Sequence, residues 1–277
     1  MPPPGPENWG AGWGSRAIAA AHSLGLSRAR WSKALPVRII SRTLASYSRR
    51  RTALTLRAIA IQPKTGKPAT GLFVALHGWG ANSGDLSGLA PYLGAEDYHM
   101  VFPDAPFPHP YAPGGFMWYD LPAQYSFQSQ PDFDRQPDLQ TSRDRLLTWL
   151  QNLEQATDIP LSRTVLAGFS QGGAMTLDVG SRLPLAALMV MSGYLHAPLT
   201  AQVTAAENPL PPVLIVHGRQ DAVVPLAAAH QVRDRLTELG ADVEYHELDM
   251  GHEISMNALN LMQTFMQRVT SSLGQSE

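Results

Sequence analysis

The chain has 277 residues, a formal net charge of −2 and a hydrophobic content of 44%. This composition excludes a mainly disordered protein, and the length allows one large α/β domain or two small ones. No cysteine is present, which excludes disulfides, thiolate metal sites and cysteine nucleophiles. A reducing compartment suits such a chain, and we expect a cytoplasmic protein.

Basic residues are concentrated at the start of the chain. Residues 1–57 hold ten of the 21 Lys and Arg residues and one acid, Glu7, whereas the rest carries 11 basic and 22 acidic side chains. We expect residues 1–51 to form a poorly ordered, Arg/Ser/Pro-rich extension: a transit peptide, a membrane-surface segment or an extension without function. The acidic remainder argues against nucleic acid as a partner. No segment has the roughly 20 apolar residues that span a bilayer.

From about residue 52 onward, short apolar runs alternate with helical patterns. Such alternation requires crossover connections, and it predicts one domain over 52–277 with a mostly parallel central sheet and helices on both faces. Gly240 is placed to cap the third helix. The predicted strands are 54–61, 71–76, 99–103, 161–169, 185–191, 212–216 and 243–248, and the predicted helices are 139–153, 171–182, 226–239 and 254–269.

One segment, 103–137, interrupts this alternation. It is rich in proline and aromatic residues. A long irregular insertion in a compact domain is usually functional, so we expect a lid or pocket wall; simple surface packing is the alternative. Within it, Phe116, Trp118 and Tyr119 are the predicted substrate-binding residues.

The segment Gly168-Phe169-Ser170-Gln171-Gly172 has the pattern G-x-S-x-G. It follows a predicted strand and precedes a predicted helix. In that setting the serine lies on a sharp turn that lifts its hydroxyl above the sheet edge, and the small residues allow the strained backbone. The positive end of the following helix adds favourable electrostatics. Ser170 is therefore the predicted nucleophile.

A serine nucleophile needs a base, usually histidine. Of the nine histidines, His252 is favoured because it follows the last strand, at the carboxyl edge where open α/β sheets build their sites. His77 and His217 also end strands, but a hydrogen bond that fixes a loop is the more ordinary role for them. His246 lies within a strand and is expected to be structural.

The third member of such a set is a carboxylate between serine and histidine in chain order. Asp221 follows the strand 212–216 and precedes a helix start at Pro225. Asp249 is the rival because it is close to His252 in sequence. The predicted catalytic residues are thus Ser170, Asp221 and His252.

An oxyanion hole requires two backbone N–H donors. Trp79, in the loop after the strand 71–76, supplies the first donor, and Gln171, the residue after the nucleophile, supplies the second. A glycine-rich loop of this kind could instead hold phosphate, but neither G-x-G-x-x-G nor a Walker lysine is present. We therefore expect no nucleotide cofactor.

These motifs together resemble the phospholipase/carboxylesterase family of α/β-hydrolases, which includes the acyl-protein thioesterases. The resemblance covers about residues 54–273. The motifs that carry it are Leu76-His77-Gly78-Trp79-Gly80, Trp118-Tyr119-Asp120, Gly168-Phe169-Ser170-Gln171-Gly172-Gly173, His217-Gly218-Arg219-Gln220-Asp221 and Gly251-His252-Glu253-Ile254.

The resemblance implies an α/β-hydrolase fold and hydrolysis through an acyl-enzyme without metal or cofactor. The implied substrates are carboxylic esters, lysophospholipids or acylated thiols, so the partners are small-molecule or lipid esters and possibly acylated proteins. Two alternatives stay open: another α/β-hydrolase activity, such as peptidase or lactonase, and a non-catalytic binding protein with the same fold.

Overall fold

The structure, a computed structural model, describes residues 38–39, 56–121, 133, 136–196 and 209–273. Most of the predicted extension 1–51 lies outside these residues, and its order and role stay predictions. The strands are β1 Arg38–Ile39, β2 Ala58–Ile61, β3 Gly71–Leu76, β4 Tyr98–Pro103, β5 Phe107–Pro108, β6 Phe116–Met117, β7 Thr164–Phe169, β8 Ala187–Met191, β9 Val213–Gly218 and β10 Val243–Leu248. The helices are α1 Ser83–Ser87, α2 Pro137–Thr157, α3 Gln171–Gly180, α4 Leu226–Glu238 and α5 Met256–Leu273.

Eight of these strands form one sheet, in the order β1-β2-β4-β3-β7-β8-β9-β10. The pairs from β4 to β10 are parallel, whereas β1 and β2 join at one edge in antiparallel fashion. The predicted mostly parallel sheet is confirmed. Because parallel strands end at the same edge, the loops that follow β3, β7, β9 and β10 converge there.

Helices cover both faces of the sheet, as predicted. Successive side chains of a strand point to opposite faces; in β3, Val74 faces one core and Phe73 the other. The core that contains Val74 packs against α2, α3 and α4, and the core that contains Phe73 packs against α1 and α5. Burial on both faces explains why the inner strands are continuous apolar runs. Among the described helices, none is both long and apolar enough to cross a bilayer.

Helix and strand ends deviate from the predictions by a few residues. Of the first predicted strand, 54–61, residues 54–55 lie outside the described residues and pairing begins at Ala58; the last helix begins at Met256 rather than at Ile254. The glycine cap is confirmed: Gly240 has a φ of 80° and its N–H bonds to the carbonyl of Thr237, while the N–H of Ala241 bonds to that of Leu236. These two bonds define a Schellman motif, which satisfies the last carbonyls of α4.

The insertion 103–137 is described only in part. Its first half forms a short antiparallel hairpin in which β5 pairs with β6. The backbone before β6 passes close to the loop after β3, because a Cβ on Gly115 would overlap the carbonyl oxygen of Gly80. Glycine therefore allows the hairpin to pack directly on that loop. Residues 122–132 and 134–135 lie outside the described residues.

Candidate active site

Ser170 lies between the end of β7 and the start of α3. Its φ of 55° and ψ of −118° are unusual for a residue with a side chain. The backbone around it is fixed, since its N–H donates to the carbonyl of Met191 (2.9 Å) and its carbonyl accepts from the N–H of Ala174 (3.0 Å). The predicted strained turn between strand and helix is present, with Ser170 at its apex.

The two glycines of the motif are required by space. A Cβ on Gly168 would overlap the carbonyl of Gly172, and a Cβ on Gly172 would overlap the carbonyl of Leu76 at the end of β3. All these atoms are backbone, so a clash cannot be relieved by a rotamer change. The glycines allow α3 to start directly against the sheet.

We expect Gly172→Ala to destabilise the fold by at least about 3 kcal/mol, the upper end of ordinary overpacking, because backbone must move to admit the methyl group. Gly251→Ala is the matched control, since its nearest neighbour would be the carbonyl oxygen of Gln220 at 3.9 Å. Urea denaturation measures the free energy of unfolding of both variants. Equal stability of the two variants would contradict the steric argument.

A continuous chain of hydrogen bonds joins Ser170, His252 and Asp221. The hydroxyl of Ser170 lies 2.9 Å from Nε2 of His252, and Nδ1 of His252 lies 2.7 Å from Oδ2 of Asp221. The carboxylate only accepts, so Nδ1 carries the proton and Nε2 is free to accept from Ser170. Phe169 packs against the imidazole at a ring-centroid distance of 4.8 Å. The structure thus brings the three predicted catalytic residues into one line.

Asp221 is held in its ionised form. Burial raises the pKa of this carboxyl group, but the hydrogen bond and charge of His252 and the N–H groups of Val223 and Val224 outweigh burial, so the pKa lies below its ordinary value. The two N–H groups bond to Oδ1 at 2.9 and 2.8 Å, which leaves Oδ2 for His252. A charged acceptor is therefore fixed behind the imidazole.

Two loops are tied together so that Asp221 and His252 meet. Backbone N–H groups of the loop after β9, those of Arg219 and Gln220, donate to carbonyls in and after β10 at 2.8 and 3.1 Å. At the end of β9, a Cβ on Gly218 would overlap the carbonyl of Met250. The sequence motif around Asp221 thus has a packing reason as well as a chemical one.

The rival residues have other partners. Asp249 is exposed and pairs with Arg219 at 2.8 Å, so it does not reach the imidazole of His252. His246 bonds to Glu244 on the same strand at 2.8 Å, in agreement with the expected structural role. His217 donates to the carbonyl of Val224 at 2.8 Å and thereby holds the loop that carries the favoured carboxylate.

His77 fixes the loop after β3, as expected. Its Nδ1–H donates to the carbonyl of Gly78 (2.7 Å), and its Nε2 accepts from the N–H of Ala105 (3.0 Å). Burial lowers the pKa of His77, and the hydrogen bond to Gly78 raises it by less. The net result is a fall from 6.5 to about 4. The neutral imidazole is therefore the form that the fold requires.

This pKa makes stability depend on pH. Between about pH 6.5 and pH 4 the unfolded chain binds a proton that folded His77 does not, so its contribution is complete above pH 6.5 and is lost as the pH falls. We expect the wild type to lose on the order of 3 kcal/mol more than His77→Gln between about pH 7 and pH 4. Urea denaturation at several pH values measures the difference; the other histidines titrate in both proteins and cancel. Parallel curves would contradict the assignment.

The two predicted oxyanion donors belong to two elements that meet at Ser170, since a Cβ on Gly78, next to Trp79, would lie 3.4 Å from the Cβ of Ser170. Trp79 is in the loop after β3, and Gln171 is the first residue of α3. Among the described residues, neither backbone N–H has a hydrogen-bond acceptor, so both are available to a ligand. The N-terminus of α3 adds the positive end of a helix dipole at the same place.

The predicted substrate-binding residues differ in their exposure. Trp118 and Tyr119 are fully buried. The hydroxyl of Tyr119 is hydrogen-bonded to the hydroxyl of Tyr194 (2.5 Å) and to Nε2 of His196 (2.8 Å). Their burial argues against direct contact with substrate and places them behind the site. Phe116 is half-buried, and its role in substrate binding stays a prediction.

A buried charge cluster behind the site was not predicted from the sequence. Asp178 in α3 accepts three hydrogen bonds from Arg143 (2.9, 3.0 and 2.8 Å), and others from Arg182 and from Nδ1 of His196. Burial raises the pKa of Asp178, but the hydrogen bonds and charges of His196 and Arg143 lower it by a larger amount. The pKa of Asp178 therefore lies below its ordinary value. The signal was an acidic residue in an otherwise apolar helix, since buried charges require partners. The cluster connects α3, which begins directly after Ser170, to α2.

The parallel sheet, its helix layers and the strained turn at Ser170 on the carboxyl edge of the sheet define an α/β-hydrolase. A model of the family described as phospholipase/carboxylesterase matches residues 57–270. The chain therefore belongs to the phospholipase/carboxylesterase family, whose members are esterase- and thioesterase-type hydrolases. The expected resemblance is confirmed.

Three similar proteins support this placement. Acyl-protein thioesterase 1 of Mycosarcoma maydis is 29% identical over 238 residues, which cover 77% of this chain and 97% of that protein. Acyl-protein thioesterase 1 of Neurospora crassa is 33% identical over 114 residues, 39% of this chain and about half (46%) of that protein. The crystal structure of esterase PE8 superposes with a TM-score of 0.70 at 31% identity, covering 78% of this chain and 99% of the other.

Proposed function

We propose that this hydrolase cleaves carboxylic esters or thioesters through an acyl-enzyme on Ser170, with His252 as general base and acid and Asp221 as the group that orients it. The observation that carries the proposal is the hydrogen-bond chain from Ser170 Oγ to His252 Nε2 (2.9 Å) and from Nδ1 to Asp221 (2.7 Å). It ends on a serine at the apex of a strained turn, near the backbone N–H groups of Trp79 and Gln171, for which the described residues offer no acceptor.

The proposed mechanism has two acyl-transfer steps. His252 takes the hydroxyl proton as Ser170 attacks the carbonyl carbon, and Asp221 stabilises the imidazolium that forms. The N–H groups of Trp79 and Gln171 bind the oxyanion. The C–O or C–S bond then breaks as the leaving alcohol or thiol takes the proton from His252. Water repeats the sequence on the acyl-enzyme and releases the acid.

Apolar acyl or aryl groups are the proposed substrate class. In the insertion, Phe116 lies beside the loop after β3 that carries Trp79. The carbonyl of Phe116 accepts from the N–H of Gly80 (2.9 Å), and the N–H of Phe116 donates to the carbonyl of Ala81 (2.8 Å). A half-buried aromatic ring at that position favours an apolar group on the bound carbonyl. Esters of small molecules or lipids fit this class. Acylated proteins fit it too, and two relatives are named acyl-protein thioesterases. A cysteine-free chain suits a reducing compartment, and we include a cytoplasmic location, which cell fractionation tests.

The test of this proposal is a substrate panel for the full chain. It contains p-nitrophenyl esters of increasing acyl length, matched thioesters, amides and lactones, with Ser170→Ala as the inactive control. We expect hydrolysis of esters and thioesters and a clear optimum of acyl length. Preference for amides or lactones would favour the peptidase or lactonase alternative. Absence of turnover and of covalent labelling would favour a binding protein.

Phe116→Ala is expected to change the acyl-length profile. Loss of an apolar wall weakens binding of the longer acyl groups, so kcat/KM for them falls by about 10-fold, while short esters change little. Tyr111→Ala, which removes a ring 73% exposed at the tip of the same hairpin, is the control. An unchanged profile in Phe116→Ala would remove this residue from the acyl pocket.

A further inference from the structure

One segment, residues 116–119, contacts both halves of the proposed oxyanion site. On one side it pairs with the loop after β3, through the two backbone bonds of Phe116 with Gly80 and Ala81. On the same side the indole Nε1–H of Trp118 donates to the carbonyl of His77 at 2.9 Å. His77 precedes Trp79 by two residues, so the indole holds the backbone that presents the first donor.

The same segment also holds Gln171, which presents the second donor. The side chain of Gln171 is buried, its Oε1 accepts from the backbone N–H of Trp118 (2.9 Å), and its Nε2–H donates to the carbonyl of Tyr119 (2.8 Å). Both hydrogen-bonding groups of the amide are thus used by this segment. The side chain that follows the nucleophile is not free to contact a substrate.

A third contact fixes the segment from behind. The hydroxyl of Ser142 in α2 donates to the carbonyl of Trp118. With its N–H, its carbonyl and its indole N–H all bonded, Trp118 has no unused polar group. It is fully buried, so it touches neither solvent nor substrate in this arrangement.

We propose that Trp118 is a positioning residue that sets the distance between the two oxyanion donors, an inference that rests on the proposed function. The donors belong to separate elements, a loop and a helix start, and Trp118 bonds directly to both. Stabilisation of an oxyanion depends on donors fixed in advance at the correct separation, and a misplacement of about 1 Å can cost 100-fold in rate. Trp118 supplies this preorganisation without contacting the reacting atoms.

The test compares Trp118→Phe with Trp149→Phe. Trp149 is also a buried tryptophan, in α2, and the structure gives it no bond to either oxyanion element. We expect kcat of Trp118→Phe to fall about 10-fold or more with KM little changed, because the carbonyl of His77 is released. The inhibition constant of a trifluoromethyl ketone, whose adduct carries an oxyanion, rises in parallel. Trp149→Phe retains wild-type kcat and inhibition.

Equal kcat and equal ketone inhibition in the two variants would overturn the inference, and so would a rise in KM alone. Where Trp118→Phe does not fold, Gln171→Met decides: it keeps the backbone N–H and the side-chain length but loses both bonds to residues 118–119, and we expect the same loss of kcat and of ketone affinity. Unchanged kcat there would also overturn the inference. Loss of wild-type turnover in Ser170→Ala is measured first. An inactive wild type refutes the proposed function, whereas an active wild type with unchanged variants refutes only the role of Trp118.

Discussion

Ser170→Ala abolishes turnover, with an expected fall in kcat on the order of 10⁶-fold, because the acyl-enzyme cannot form without the hydroxyl. The backbone of the turn is unaffected, since its bonds to Met191 and Ala174 involve main-chain atoms only. Substrate binding therefore persists. Steady-state kinetics on the ester that the wild type prefers measures the loss of kcat. The dissociation constant of the same ester for Ser170→Ala checks that the pocket is intact.

A second serine provides the matched control. Ser192 is also buried, also has a positive φ (49°), and follows the neighbouring strand β8. Its hydroxyl has no hydrogen-bond partner within the part of the chain that the structure describes, so Ser192→Ala removes a group that these residues do not use. We expect wild-type kcat for this variant. Substantial turnover in Ser170→Ala, or an equal loss in both variants, would contradict the assignment of the nucleophile.

Asp221→Asn is expected to lower kcat by about 10⁴-fold while leaving the geometry of the site intact. The N–H groups of Val223 and Val224 both donate to Oδ1, so they hold the amide oxygen of the asparagine and turn its NH₂ group toward His252. The amide then donates to Nδ1 and forces the imidazole proton onto Nε2. In that tautomer the imidazole cannot accept the proton of Ser170.

Asp249→Asn is the control for this change. Its carboxylate is exposed and pairs only with Arg219 among the contacts of the described residues, and exposed pairs contribute little. We expect wild-type kcat for Asp249→Asn. Steady-state kinetics of both variants completes the test, and a large loss of kcat in Asp249→Asn would reverse the choice between the two carboxylates.

The sequence was sufficient to predict the architecture and to predict that the candidate catalytic residues lie close together. Apolar runs such as 71–76 predicted the inner strands because a parallel sheet buries both of its faces. Ser170, Asp221 and His252 could be brought together because each follows a strand, and parallel strands end at one edge. His252 could be chosen from the nine histidines by that topology and by its position after Ser170 and Asp221 in the chain.

The positions of Trp118 and Tyr119 could not be derived in the same way. They lie in a segment without helical or strand periodicity, so no pattern indicates which side chain faces the interior. Their burial depends on contacts with residues more than 50 positions away, above all the two bonds with Gln171. The cluster around Asp178 was missed for a similar reason, since Arg143 and His196 lie 35 and 18 positions away along the chain and only Arg182 is close in sequence.

The nucleophile is tested most directly by labelling the full chain with a fluorophosphonate and locating the adduct by peptide mass spectrometry. The chain of bonds from Asp221 through His252 to Ser170 predicts a single stoichiometric adduct on the peptide that contains Ser170. It also predicts that ester hydrolysis is lost in proportion to labelling, and that Ser170→Ala is not labelled. An adduct on another residue, or a folded wild type that hydrolyses esters without being labelled, would contradict the assignment of Ser170 as the nucleophile.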